Sequence, residues 1–171
     1  MKKLYIIRHA KSSWGDFSLP DFERPLNERG KTDAPVMAKK LLEKKIVIDA
    51  FVSSPAKRAK KTCKYFCTAY NVKEDKIIFV ENLYLASLQT FFEVTKGLDD
   101  KYNSVALFSH NPGITEFANR LCQGVHIDEM PTCSVFAIEA PIKKWKDFKE
   151  AKKSFLFFKY PKEVGGEKEH G

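Results

Sequence analysis

No apolar run in this 171-residue chain approaches the length that crosses a bilayer. The longest, around residues 104–108 and 155–158, span only a few positions, against the roughly 20 that a membrane helix needs. The basic start, MKKLYIIR, runs at once into Arg8 and His9. It therefore lacks both the apolar core and the small-residue cleavage site of a secretory signal, and the expected location is cytoplasmic, with no membrane partner. Cysteine is scarce, with Cys63, Cys67, Cys122 and Cys133 the complete set and no C-x-x-C pair among them. In a cytosolic domain these four are expected to be reduced and structural. A zinc site combining them with His126 has no ligand spacing behind it, so neither a metal nor another cofactor is expected. No internal repeat or interdomain linker is visible. No nucleic-acid module motif is present either, so nucleic-acid binding would rest on charge alone and is not expected.

What the chain does have is a composition that can build a core. Hydrophobic residues are 43% and charged residues 30% of the sequence, the balance of a globular chain rather than a disordered one. Its length suits a single domain over residues 1–161, followed by a polar tail at 162–171. A monomer is expected. The formal charge is +8, and the excess concentrates at Lys57, Arg58, Lys60 and Lys61 and in the lysine-rich stretch 143–162. Two readings stand: a solvated lysine surface, or a positive field that draws in a phosphorylated, acidic substrate.

Strand and helix patterns alternate. Residues 4–7 form a β-rich apolar run suited to a strand buried on both faces. Residues 10–30 carry prolines, aromatics and acids without periodicity and read as a long functional loop. Helical spacing of Ala34, Met37, Ala38, Leu41 and Leu42 predicts a helix over 32–45, capped by Thr32, with Pro35 in its first turn. A second strand over 49–53 precedes a helix opened by Pro55. A third strand spans 76–80, followed by a helix over 87–98. A fourth strand over 104–109 precedes a helix over 114–121. Strands at 133–139 and 154–160 flank a short helix near Trp145. Such alternation predicts an α/β fold of three layers, with a largely parallel central sheet and helices on both faces.

Three chemically loaded segments each follow a predicted strand. They are Arg8-His9, the stretch 53–58 ending in Arg58, and His110 with Asn111, Pro112 and Gly113. In α/β sheets the ligand crevice lies outside the carboxyl ends of the strands, so these distant segments are expected to converge. Two arginines and two histidines in one crevice suit an anion, because guanidinium groups match phosphate oxygens bidentately. The helix after Gly113 would add backbone N–H groups. Each element alone has a plainer reading, as a surface cation or a hydrogen-bonded strand-end histidine; the repeated placement at strand termini favours the joint one.

The ordered set of motifs resembles the histidine phosphatase superfamily. LYIIRHAKSSW (residues 4–14) is similar to its Arg-His signature, with alanine where glycine is commonest. ERPLNERG (23–30), SSPAKRAKKT (53–62), Leu83-Tyr84 and SHNPG (109–113) then follow in the order of its small branch, which includes the SixA phosphohistidine phosphatases. The resemblance implies a phosphoglycerate mutase-like fold and a metal-independent phosphatase in which His9 is the nucleophile. Arg8, Arg58 and His110 would hold the phosphoryl oxygens, with Asn111 and Ser12 as further phosphate ligands and Lys11 as another candidate.

Many relatives also carry a carboxylic acid that protonates the leaving oxygen. Glu81 and Asp16 are the candidates here, neither clearly in register. A phosphoramidate tolerates a missing acid, because imidazole is basic near neutrality and leaves neutral, whereas an alkoxide does not. The expected substrate is therefore a phosphorylated protein, phosphohistidine first. The alternatives are a small phosphate ester and a non-catalytic module that binds phosphate or an acidic partner.

Overall fold

A computed structural model describes residues 1–161; the polar tail 162–171 lies outside the described residues. Six strands form one sheet: β1 (Lys2–Arg8), β2 (Ala50–Ser53), β3 (Ile78–Phe79), β4 (Ser104–Ser109), β5 (Val135–Ala140) and β6 (Ser154–Lys159). Their order across the sheet is β3-β2-β4-β1-β5-β6. The β2/β3, β2/β4 and β1/β4 pairs are parallel. The β1/β5 and β5/β6 pairs are antiparallel.

Four helices cover the two faces: α1 (Glu28–Glu43), α2 (Lys57–Ala69), α3 (Leu88–Lys96) and α4 (Gly113–Leu121). Because side chains alternate along a strand, β1 feeds both layers. Leu4 and Ile6 pack with Phe91 of α3 and Phe117 of α4, whereas Tyr5 and Ile7 pack with Met37 of α1 and Phe66 of α2. All four β1 side chains are buried, and each fully buried aliphatic contributes about 1.5–3 kcal/mol. The three-layer α/β/α architecture expected from the sequence is the one observed.

Differences lie at element boundaries, and the largest is at α1. The helix starts at Glu28, a turn before the position that apolar periodicity marks, and Asn27 caps it by accepting from the Gly30 amide at 2.9 Å. Thr32 is therefore not the cap. Its hydroxyl donates to the Glu28 carbonyl at 3.1 Å, and Pro35 sits in the helix body rather than in the first turn. The first turn is polar and so leaves no apolar signal. In α2, Pro55 and Ala56 precede the helix, which opens at Lys57. The third strand is only Ile78–Phe79. The stretch before α1 also holds a 3-10 turn at Asp21–Glu23 and an isolated bridge between Ser12 and Leu26.

Candidate active site

Register alone brings the three segments together. Arg8, the last residue of β1, lies beside Ser109, the last of β4, and Ser53, the last of β2, lies beside Phe108. The chain leaves three adjacent parallel strands at one level, and His9, Ser54 and His110 are the next residues of each. All three are buried. The imidazole rings of His9 and His110 stand 5.1 Å apart, centroid to centroid.

The turn after β1 is tightly held. The His9 amide donates to the Ser109 carbonyl at 3.2 Å, and the Cys133 amide bonds the Arg8 and His9 carbonyls from the other side. The Ala10 amide donates to the hydroxyl of buried Thr62, which itself donates to the Arg58 carbonyl at 2.8 Å. Thr62 thus ties the residue after His9 to the turn of α2 that carries Arg58. Gly30 completes the support, because a Cβ there would lie 2.2 Å from the Lys11 carbonyl oxygen. Only glycine lets α1 approach that backbone so closely.

The tautomer of His9 follows from its partners. Nδ1 lies 2.7 Å from the Ala10 carbonyl oxygen, which can only accept, so Nδ1 carries the proton and Nε2 keeps its lone pair. The Arg58 Nε–H donates to that same Nε2 at 3.3 Å. Desolvation by burial holds the His9 pKa well below 6.5; the charges on Arg58 and Arg8 push the same way, against the Ala10 hydrogen bond. His9 is accordingly a neutral imidazole with an available Nε2.

His110 is neutral for the same leading reason. Burial, reinforced by the charge of Arg58, lowers its pKa to about 3. Its Nε2 lies 2.7 Å from the Ser54 hydroxyl, an oxygen that already accepts from the Ala56 amide. Among the described residues its buried Nδ1 has no hydrogen-bond partner, nor does the buried Nε of Arg8. Both atoms are thus able to donate to a bound oxygen. Arg8 spends its Nη1 on the Met130 carbonyl at 2.8 Å and lies 3.8 Å from Glu129.

Three residues without an assigned role in the sequence reading join the cluster. Asp21 receives Arg58 twice, through its carbonyl at 2.7 Å and its carboxylate at 3.0 Å. The same carboxylate accepts from the Tyr84 hydroxyl at 2.6 Å and from Arg24 at 3.2 Å. Partial desolvation works to raise the Asp21 pKa, but the Tyr84 and Arg58 hydrogen bonds and the two arginine charges outweigh it, and the pKa lies below the usual value. Arg24 is itself buried, donates to the Ser12 hydroxyl, and lies 3.4 Å from the centroid of the Trp14 ring. Asp21, Arg24 and Tyr84 all sit in segments without periodicity, so no pattern pointed to them; Arg24 and Tyr84 did lie inside quoted motifs.

The remaining candidates are placed as follows. Ser12 belongs to the cluster through Arg24. The Asn111 side chain accepts from Thr115 at 2.6 Å and donates to the Met130 carbonyl at 3.2 Å, so it braces the segment that holds Arg8. Asp16 is exposed and bonded to Ser18, and Glu81 is exposed in a 3-10 turn after β3. Neither carboxylate makes a hydrogen bond or ion pair with the cluster. Among the described residues no group of three or more His, Cys, Asp or Glu is arranged to hold a metal ion, and His126 pairs only with Asp128. No described helix is long and apolar enough to cross a membrane.

Chemically, three guanidinium groups and one carboxylate surround two neutral imidazoles, one of which keeps an unprotonated nitrogen whose lone pair accepts from Arg58. Such a pocket has the chemistry to bind an anion and to offer it a nucleophile.

Comparison with known proteins agrees. The model of the histidine phosphatase superfamily (branch 1) matches residues 4–83, from β1 to just past β3. An uncharacterised chloroplastic protein of Arabidopsis thaliana is 30% identical over 155 residues, covering 85% of this chain and 70% of its own. Phosphoserine phosphatase 1 of Hydrogenobacter thermophilus is 34% identical over 87 residues, 48% of this chain and 40% of its own. The solved structure of the protein histidine phosphatase SixA complexed with tungstate superposes with a TM-score of 0.80 at 20% identity, covering 95% of this chain and 99% of that one. At that identity the likeness shows the shared fold.

Proposed function

The chain belongs to the histidine phosphatase superfamily, and from that membership we propose that it is a protein phosphohistidine phosphatase in which His9 carries the phosphoryl group between substrate and water. The observation that carries the reading is the state of His9: proton fixed on Nδ1 by the Ala10 carbonyl, lone pair on Nε2, and a guanidinium N–H on that same nitrogen. A binding module needs cations and donors but has no use for an oriented nucleophile.

In the first step the Arg58 Nε–H hydrogen bond passes from His9 Nε2 to a phosphoryl oxygen, a bond forms from Nε2 to phosphorus and the bond to the leaving group breaks. Arg8, Arg24 and Arg58 face the charge spread over the equatorial oxygens, and the orphaned His110 Nδ1 donates to one of them. For a phosphohistidine substrate the leaving electron pair goes to an imidazole nitrogen that takes a proton and departs neutral. Water then attacks phosphorus, the bond to Nε2 breaks, and phosphate leaves. Asp21, held by Arg58 and Arg24, acts as a positioning residue that keeps Arg58 aimed at His9.

The supply of acid favours phosphohistidine over an ester. Asp21 is the carboxylate bonded to Arg58, and three donors stabilise its anion, so it is a poor source of a proton near neutrality. Phosphate release from a phosphohistidine peptide is therefore expected to exceed release from free O-phosphoserine, an alkyl ester whose alkoxide needs a proton to leave, by at least about tenfold in kcat/KM. Faster turnover of the ester would reassign the enzyme to small phosphate esters.

The two neutral histidines also set a pH dependence. His9 must be unprotonated to attack, and its folded pKa is depressed. The acid limb of kcat/KM is thus expected well below pH 6.5, after correction for the ionisation of the substrate. Stability moves differently. Both histidines have folded pKa values below the unfolded value of about 6.5. As pH falls past that value, the unfolded chain takes up protons that the folded one refuses. Stability is lost progressively from about pH 6.5 downward, for His110 until its folded pKa of about 3. Urea midpoints from pH 8 to pH 5 should fall in the acid range, and less steeply in His110→Asn. An activity limb at pH 6.5 would show that His9 is not desolvated as described.

A further inference from the structure

Helix α2 carries a charge pattern that its own stability does not explain. Its cations Lys57, Arg58, Lys60, Lys61 and Lys64 have no acidic residue within the helix to offset them. Lys57, Lys60, Lys61 and Lys64 follow the i, i+3, i+4, i+7 spacing of one helical face, where like charges repel. They also crowd the N-terminal turns, the positive end of the helix dipole, where cations are disfavoured. Compensation is thin. Lys64 pairs with Glu74 at 3.4 Å. Lys60 and Lys61 lie over the rings of Phe79 and Tyr65, each at 5.6 Å. Lys57 has no ion-pair or hydrogen-bond partner among the described residues.

These four lysines line one groove of about 350 Å³ together with Phe22 and Pro55. Among the described residues Glu23 is the one carboxylate on its wall. A second groove shares Lys57 and Lys61 and continues past Lys31 and Tyr65, so the basic surface extends beyond a single small-molecule pocket. It also adjoins the active site through covalent neighbours. Lys57 precedes Arg58, and Phe22 and Glu23 follow Asp21, the partner of Arg58. Phe22 packs edge-on against Tyr84 at 5.0 Å, and Tyr84 bonds the same Asp21.

We propose that this lysine-lined groove between α2 and the 3-10 turn at Asp21–Glu23 is the docking site for an acidic segment flanking the phosphorylated residue of a protein substrate. The inference rests on the phosphatase reading above and narrows it to the kind of protein served. Charge complementarity identifies the occupant. Four cations on one face, three of them without an acidic partner among the described residues, complement an extended peptide with several Asp or Glu. Phe22 and Pro55 offer an apolar floor between the charges. Docking there leaves the phosphoryl group a short reach from Arg58 and His9.

The test compares two phosphohistidine peptides of equal length, one with an Asp/Glu-rich flank and one with a Ser/Gln-rich flank, against the wild type and Lys57→Gln/Lys60→Gln/Lys61→Gln. At low ionic strength the wild type is expected to prefer the acidic peptide by about tenfold in kcat/KM, and added salt should erode that preference. The ratio should fall toward unity in the triple variant, whose fold is checked by circular dichroism. A wild-type ratio near one, or an unchanged ratio in the variant, would overturn the proposal. A parallel anisotropy measurement uses the unphosphorylated acidic peptide carrying a fluorophore. If neither phosphopeptide is hydrolysed, the phosphohistidine reading fails, and this binding then decides the groove alone: binding lost in the triple variant supports it, and absence of binding overturns it.

Discussion

His9→Ala should lower phosphate release from any accepted substrate by about 10³-fold or more, the scale expected when a covalent nucleophile is removed. The residue is not a pillar of the core, so this loss should come with little change in fold. Its side chain makes two polar contacts, to the Ala10 carbonyl and to Arg58. Removing it leaves Arg8, Arg24 and Arg58 to bind phosphate, so the variant should retain affinity for inorganic phosphate while losing turnover. The pair of readouts separates catalysis from binding. Loss of both would indicate collapse of the pocket, and retention of turnover would mean that another group accepts the phosphoryl.

Arg58→Lys should cost about 10²–10³-fold in kcat/KM even though it keeps the charge, a size typical for removing one preorganised donor from a site of charge development. Arginine and lysine are not interchangeable here. The guanidinium spends three nitrogens on three partners: Nε on His9, Nη1 on the Asp21 carbonyl and Nη2 on the Asp21 carboxylate. A lysine ammonium is a single point and cannot span His9 and Asp21 at once. It leaves Asp21 held by Tyr84 and Arg24 alone and the His9 ring held by the Ala10 carbonyl alone. Measured kcat and KM should both worsen, since the proposed mechanism has Arg58 facing the ground-state phosphate and its transition state. A loss confined to KM would make Arg58 a binding residue without influence on His9.

The features of the site that were legible in the sequence are those fixed by backbone topology. Arg8, Arg58 and His110 could be assigned to one crevice because a parallel sheet puts the carboxyl ends of neighbouring strands at one level, and the β1/β4 register of Arg8 with Ser109 realises that. The strands themselves were readable because β1 and β4 are apolar runs buried on both faces. What escaped was set by side-chain hydrogen bonds in aperiodic segments. Nothing in residues 10–30 reveals that Asp21 turns back to Arg58 or that Arg24 is buried against Ser12 and Trp14. The start of α1 escaped for a related reason, since an Asn27 cap followed by a polar turn leaves no apolar rhythm. The contacts that fix the tautomer of His9 are likewise invisible in sequence, because one is made by a backbone carbonyl.

The central claim is that the phosphoryl group passes through Nε2 of His9. It is tested most directly by mixing the enzyme with a phosphohistidine peptide labelled in its phosphoryl group, quenching in alkaline denaturant within milliseconds, and mapping the label by proteolysis. The structure predicts acid-labile, alkali-stable label on the peptide containing His9 in the wild type and none in His9→Ala. Full wild-type turnover with no label on His9, or label on another residue, would contradict it.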